Sequence, residues 1–323
     1  MGRYIGKRAL TAILCVFVAL CLNFVLMHSA PGDPIRILVG SDNPDPEVIE
    51  ALTVKFGLDQ PMHIQFFRYV GNLLRGDMGV SIYTSEPVFD MIMQRLGPTL
   101  LVAFTGTVLA LVVGTALGIF CGRRVGSKID TFLGSFSYLF DAMPSFWLGL
   151  MLIMVFASAL HVLPTAGMMD VRAPAQGVGH VLDVIKHMVL PVATLALTMT
   201  PYYMRIARSS VVQVLGDDFI TTLRATGLPE NKIYRRYVFR NAILPTVTVF
   251  GIQLAYMVAG VAIVEIVFSW PGTGSLIMTS ISRRDYPVLM GTYFVLSLSV
   301  AIMMIVVDLV YSALDPRISR SNS

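Results

Sequence analysis

Charge is what this 323-residue sequence lacks most: Asp, Glu, Lys and Arg make up only 14% of it, against 55% hydrophobic residues. A soluble domain carries roughly 25% charged residues, so composition alone places the chain among membrane proteins. Cysteine is scarce, with Cys15, Cys21 and Cys121 all in or at the ends of apolar runs. No C-x-x-C spacing occurs, so neither a disulfide framework nor a zinc site is supported, and small buried hydrophobes is the better reading of all three. The G-x-x-x-x-G-K-[ST] phosphate loop and the G-x-G-x-x-G turn are absent; Gly122 to Lys128 only superficially suggests the first. The G-x-S-x-G nucleophile turn and the H-E-x-x-H helix are missing too. An intramembrane enzyme therefore has no constellation behind it, and an ATP-driven process must bind its ATP elsewhere.

What is present is a series of long apolar runs. Ala9 to Met27 is uncharged and follows Arg3, Lys7 and Arg8. A cleaved signal peptide competes here, but the run exceeds a usual hydrophobic region and His28 spoils the cleavage pattern, so a first span is preferred. Leu96 to Phe120 follows, carrying Gly114, Gly118 and Gly122 as overlapping G-x-x-x-G patterns that predict a close helix-packing face. Further runs cover Ala142 to Leu160, Met188 to Met204 (with Pro191 and Pro201), Ala242 to Val264 and Pro287 to Val307. Six spans are expected. With the N-terminus inside, the inner segments hold 15 of the 24 Lys and Arg residues, so both termini are expected in the cytoplasm.

The outer segment from Pro31 to about Gly97 is too long for a simple connection and carries nine acidic residues against five basic ones. Asp45-Pro46-Glu47 reads as a cap with proline at the first helical position, and Gly57 as the stop. Ile64 to Leu74 and Pro87 to Leu96 are further amphipathic stretches, giving a small helical cap on the outer surface. The expected organisation is 1–30 for the N-terminus and first span, 31–97 for this outer region, 98–312 for a five-span core, and 313–323 for a cytoplasmic tail.

One polar, basic stretch interrupts the apolar pattern, from Asp217 to Pro245. Asp217 or Asp218 can cap a helix, Phe219 to Thr226 gives about two turns, and Gly227 followed by Pro229 ends it. Lys232, Arg235, Arg236 and Arg240 lie on a second helical segment. Two readings fit: an amphipathic helix on the lipid headgroups, or a docking element for a cytoplasmic partner. Three acids lie near span ends, Asp141, Glu265 and Asp308. They read either as interfacial acids paired with arginines or as groups on a conduction path. His180 and His187 are seven apart, a weak basis for a metal site.

The basic stretch resembles the cytoplasmic coupling loop of ABC-importer permeases of the peptide and nickel subfamily. The match lies at Asp218, Arg224, Ala225, Gly227, Leu228, Arg240, Asn241, Ala242 and Pro245. Thr221-Thr222-Leu223 stands where the broad family has Glu-Ala-Ala, and Thr226 where a basic residue is usual. Further motifs agree in order: Pro31-Gly32-Asp33-Pro34, Gly57-Leu58-Asp59-Gln60-Pro61, Gly76-Asp77-x-Gly79-x-Ser81 and His187-x-x-Leu190-Pro191. They continue with Phe268-x-Trp270-Pro271-Gly272-x-Gly274, Arg284-Asp285-Tyr286-Pro287 and Asp315-Pro316-Arg317, with Ser275 in place of a common arginine.

The resemblance implies an all-α type I ABC-importer permease of six spans in the inner membrane, without an ATPase site or cofactor of its own. It implies a second homologous permease, two ATPase subunits that bind ATP and Mg, and an outer substrate-binding protein as partners, with membrane lipid around it and no nucleic acid. Asp218, Phe219, Thr221, Thr222, Leu223, Arg224, Ala225 and Gly227 would couple to the ATPase. Met143, Tyr202, Tyr203 and Glu265 are candidates for the substrate path. Peptides are the expected cargo, with nickel, a metal chelate or a glutathione-like ligand as the alternative. A stand-alone secondary transporter is the rival class, though the spans lack the paired broken segments such carriers often show.

Overall fold

The computed structural model describes residues 2–29, 45–172, 176–257 and 261–314, together with Ile35 and Val39. The Pro31–Pro34 and Asp315–Arg317 motifs lie outside the described residues. Every regular element among those described is helical. The chain divides into two compact units: Met1–Thr99 with Val258–Ala262 and Pro271–Ser323, and Leu100–Met257 with Ile263–Trp270.

In the first unit, the opening span is α1 (Gly2–Ser29) and the outer segment folds into α2 (Pro46–Phe56) and α3 (Met62–Leu74). The α2 boundaries follow from local chemistry. Asp45 accepts the Glu47 amide at 3.1 Å, and Gly57 turns left-handed at φ 68°. That turn lets the Gly57 and Leu58 amides reach the Val54 and Thr53 carbonyls, closing the end of the helix. The stretch from Pro87 does not end before the second span. Both belong to α4 (Val88–Gly122), a 35-residue helix that runs through Pro98. Arg95 ends the uncharged run, but a charge marks where hydrocarbon stops, not where a helix stops.

The unit is completed by α12 (Thr273–Arg283) and α13 (Tyr286–Leu314). Here two of the sequence motifs meet. The Ser81 hydroxyl donates to buried Asp285, whose other oxygen accepts the Ile82 amide at 3.2 Å. Tyr69 donates its hydroxyl to the Met290 carbonyl at 3.1 Å, and burial pushes its phenol pKa up. Helix α3 and the loop before α4 are thus tied to the head of α13, and the motifs that looked like isolated turns form one buried hydrogen-bonded joint.

The second unit holds the rest of α4, then α5 (Lys128–Ala142) and α6 (Ser145–Leu152), which continues as a π-helical stretch, Ile153–Ala159. Pro144 lacks an amide hydrogen and holds Met143 extended (φ −80°, ψ 128°), so α5 and the helix after it meet at 100°. Then come α7 (Val178–Leu215), α8 (Asp218–Ala225) and α9, whose three consecutive stretches are Glu230–Lys232, a π-helical Ile233–Val238 and Phe239–Ala242. The short helices α10 (Leu244–Tyr256) and α11 (Ala262–Val267) follow.

Among the described residues four helical stretches are long and apolar enough to cross a membrane: Leu10–Met27, Val88–Gly122, Val178–Leu215 and Tyr286–Val306. The bent pair of α5 with α6 and its extension makes a fifth if it counts as one crossing. The expected fifth span, 242–264, is divided between α10 and α11, with residues 258–260 between them outside the description.

The glycine stripe of α4 packs directly on α7. A β-carbon on Gly114 would sit 2.7 Å from both the Thr200 carbonyl and the Tyr203 Cβ, and one on Gly122 would sit 2.7 Å from the Val211 Cβ. One on Gly118 would strike the Met204 carbonyl and Ala207. Backbone meets backbone with no side chain between them, the arrangement that small residues allow. Gly118→Ala should therefore lower the melting temperature of the detergent-purified protein by several degrees, overpacking of this kind costing about 1–3 kcal/mol. Gly134→Ala in α5, with no atom within 4 Å of the new carbon, should leave it unchanged or raise it.

Candidate coupling site

The α7 helix has 38 residues, a length of ~57 Å at 1.5 Å per residue, against ~30 Å of bilayer hydrocarbon. It therefore continues well past the lipid on the basic side and delivers the chain, through a turn at Gly216, straight into α8. Asp217 occupies the cap position in an extended conformation, but its side chain makes no capping bond. The position is exposed, so water can satisfy the first amides, and Asp218 in the first turn still complements the helix dipole. The far end forms as the sequence requires. Gly227 is left-handed at φ 79°, its amide donates to the Arg224 carbonyl at 3.0 Å, and the Leu228 amide donates to the Leu223 carbonyl at 3.3 Å.

This geometry gives α8 two different faces. Ile220 is wholly buried in a cluster with Val211 and Val214 of α7 and Ile233, Val238 and Ala242 of α9. Leu223 and Leu228 pack against the same cluster. Asp218, Phe219, Thr221, Thr222, Arg224, Ala225 and Gly227 are exposed. Leu223 thus belongs to the anchoring side of α8, unlike the other seven positions expected to meet a partner. Ile220 is the anchor that motif matching passed over; its signal was the i, i+3 apolar pair with Leu223.

Polar clamps fix the surroundings. Arg224 Nε lies 2.7 Å from Glu230 Oε1, joining α8 to α9, and this hydrogen bond raises the guanidinium pKa further above its ordinary value. Arg123, just after α4, reaches Asn231 at 3.3 Å and stacks 4.5 Å from the Tyr234 ring centroid. Arg208 of α7 grips Asp130 at both carboxylate oxygens, 2.7 and 2.8 Å away, while the Gly126 amide donates to one of them at 3.0 Å. Asp130 itself sits in an N-cap pattern, Ser127-x-x-Asp130, in which the Ser127 hydroxyl accepts the Asp130 amide at 3.2 Å.

Of the path candidates, Met143 sits at the α5–α6 bend and Tyr202 on α7. The ion pair Arg205–Asp141, at 2.9 Å, brings those two segments together, with the Arg205 guanidinium 5.7 Å from the Tyr138 ring centroid. Asp141 is thus the arginine-paired acid its position suggested. Tyr202 is partly exposed, whereas Tyr203 is wholly buried on the α4 seam. Glu265 is also wholly buried, and its backbone carbonyl accepts the Trp270 amide at 2.7 Å. The side chain of Asp308 lies outside the described ones. His187 engages Asp183 at 3.2 Å and His180 is exposed; among the described residues no three His, Cys, Asp or Glu side chains gather as metal ligands.

Arg208→Ala would leave Asp130 buried without its cation, a loss of about 1–3 kcal/mol. Thermal unfolding should show this destabilisation, and adding Asp130→Asn should restore part of it. Equal stability of Arg208→Ala and wild type would remove the pair from the account.

Two family models together cover almost the whole chain. Residues 1–103 match the N-terminal part of a binding-protein-dependent transport system membrane component, and residues 114–320 match the binding-protein-dependent transport system inner membrane component. The oligopeptide transport system permease protein AppB of Bacillus subtilis is 36% identical over 98% of this chain and 99% of its own. The glutathione transport system permease protein GsiC of Escherichia coli K12 is 36% identical over 98% and 99%, and the probable D,D-dipeptide transport system permease protein DdpB of the same strain 35% over 97% and 96%. Among solved structures, the inward-facing MetNI methionine ABC transporter matches with a TM-score of 0.54 over 72% of this chain and 100% of its own, at 17% identity. Fold, apolar helices and full-length relatives agree: this chain belongs to the family of binding-protein-dependent transport system inner membrane components, and is a membrane-embedded transport subunit of the ABC-importer type.

Proposed function

We propose that this chain is one of two permease subunits of an importer for peptides, driven by a pair of ATPase subunits and fed by an outer substrate-binding protein. The two-faced character of α8 carries the reading. A helix lying on lipid headgroups turns its apolar face outward. Here the apolar face, Ile220 and Leu223, is consumed by α7 and α9, and a polar surface around Phe219 is left free. Such a surface suits a protein groove better than a bilayer. The sources for the cargo are the three relatives, named for oligopeptides, glutathione and a D,D-dipeptide, all of them amide-linked amino acids.

In this reading both termini are cytoplasmic, supported by the inner excess of Lys and Arg, and residues 31–97 form the outer cap. ATP and Mg bind to the ATPase partners. Closure of the ATPase pair draws α8 toward its counterpart on the second permease. Because α8 is anchored on α7, the pull reaches a helix that runs through the bilayer, and the spans shift between two packed arrangements. Asp218, Phe219, Thr221, Thr222 and Arg224 meet the ATPase, while Leu223 and Gly227 hold the helix in shape. Met143 and Tyr202 border the path, at the junction held by Asp141 and Arg205.

Gly227→Val places a β-branched residue at φ 79°, where only glycine is comfortable. In reconstituted complexes it should leave ATP hydrolysis running while uptake falls by about tenfold or more, equivalent to at least about 1.4 kcal/mol of lost coupling. Wild-type uptake by that variant would contradict the role given to α8.

A further inference from the structure

Tyr203 is wholly buried, yet its hydroxyl has no hydrogen-bond partner among the described residues. A buried, unpaired hydroxyl is destabilising, so one that persists in a native core calls for an explanation outside that packing arrangement. Several threonines of the helices escape the penalty by donating to their own backbone. Thr194, Thr198 and Thr248 reach the carbonyls four residues back at 2.8, 3.0 and 2.9 Å. A tyrosine hydroxyl stands too far from its own helix to do this and must find a partner elsewhere. Phenylalanine would fill the same slot without the cost.

The place of Tyr203 suggests where that partner is met. Its β-carbon lies against Gly114, on a seam where Gly114, Gly118 and Gly122 put no side chain between α4 and α7. A seam without interlocking side chains lets one helix shift along the other with few rotamer changes. The Thr115 hydroxyl, one residue further along α4, is buried and unpaired in the same way. Below the seam, α7 runs unbroken to Val211 and Val214, which hold Ile220 of the coupling helix. The neighbouring ring of Tyr202, 5.9 Å away, is already 41% exposed.

We propose that Tyr203 is a state-dependent contact of the transport path. It is occluded in the arrangement described here and bared when a pull on α8 shifts α7 along α4. Its hydroxyl then donates to an amide carbonyl of the peptide in transit. The hydroxyl penalises the occluded state and is satisfied in the other, which narrows the gap between them. This rests on the importer reading, whose own failure would show first, as a wild-type complex with no ATP-dependent uptake.

The test uses the reconstituted complete transporter. Tyr203→Phe should keep or raise the melting temperature of the nucleotide-free complex. Its uptake of a dialanine probe should fall about three- to tenfold in kcat/KM, the factor a net hydrogen bond supplies. A lowered melting temperature would mean that the hydroxyl is already bonded at rest, and unchanged uptake would mean that it meets no substrate; either overturns the proposal. Independently, Tyr203→Cys, in a background with Cys15, Cys21 and Cys121 changed to serine, should resist a water-soluble maleimide at rest. It should react once ATP and vanadate trap the complex, and equal labelling in both states would contradict the proposed exposure.

Discussion

Everything that makes this chain more than a bundle of spans depends on the burial of Ile220. A single isoleucine, held between the end of α7 and the stretches of α9, fixes an eight-residue helix that could not persist alone in water. In the proposed coupling role its consequence is mechanical: a force on the exposed face of α8 would pass to Val211 and Val214, hence to a helix long enough to cross the bilayer. The Arg224–Glu230 and Arg123–Asn231 contacts are exposed and contribute little to stability by themselves. The first joins α8 to α9, and the second joins the end of α4 to α9.

The same economy appears where α7 meets α4. Backbone contact through glycines gives close packing without locking side chains together, as the proposed exchange between two packed arrangements would need. In the first unit the logic is reversed. Ser81, Asp285 and the Ile82 amide form a buried polar joint with specific geometry, which ties the loop before α4 to the head of α13. Loose seams lie along the spans, and firm joints lie at their ends.

Much of this was legible in the sequence wherever the chemistry is local. Asp45-Pro46 and Gly57 bound α2, and Gly227 ends α8, because caps and left-handed turns are decided within four or five residues. The glycine stripe announced a close helix contact, although not which helix would fill it. The span pattern was less readable. The division at Leu96 between an amphipathic stretch and a span is one that the 35-residue α4 ignores, and the apolar run from Ala142 hid the α5–α6 bend that Pro144 imposes. The pairing of Ser81 with Asp285, 204 residues apart, and of Asp130 with Arg208 could not be seen, since each motif carries only half of its joint. Of the candidate site, the exposed face of α8 was legible from motif and polarity together. The burial of Tyr203 beside the exposure of Tyr202 was not, because adjacent tyrosines look alike until a neighbouring helix separates them.

The measurement closest to the heart of the account is purification of this chain in mild detergent, with its partners identified by mass spectrometry and uptake followed in proteoliposomes. The account predicts recovery of a second, similar membrane permease together with ATPases that carry the phosphate loop this chain lacks, and uptake that requires ATP. A chain that purifies alone and supports uptake driven by an ion gradient would contradict it, and α8 would then be a membrane-surface helix with no partner to pull it.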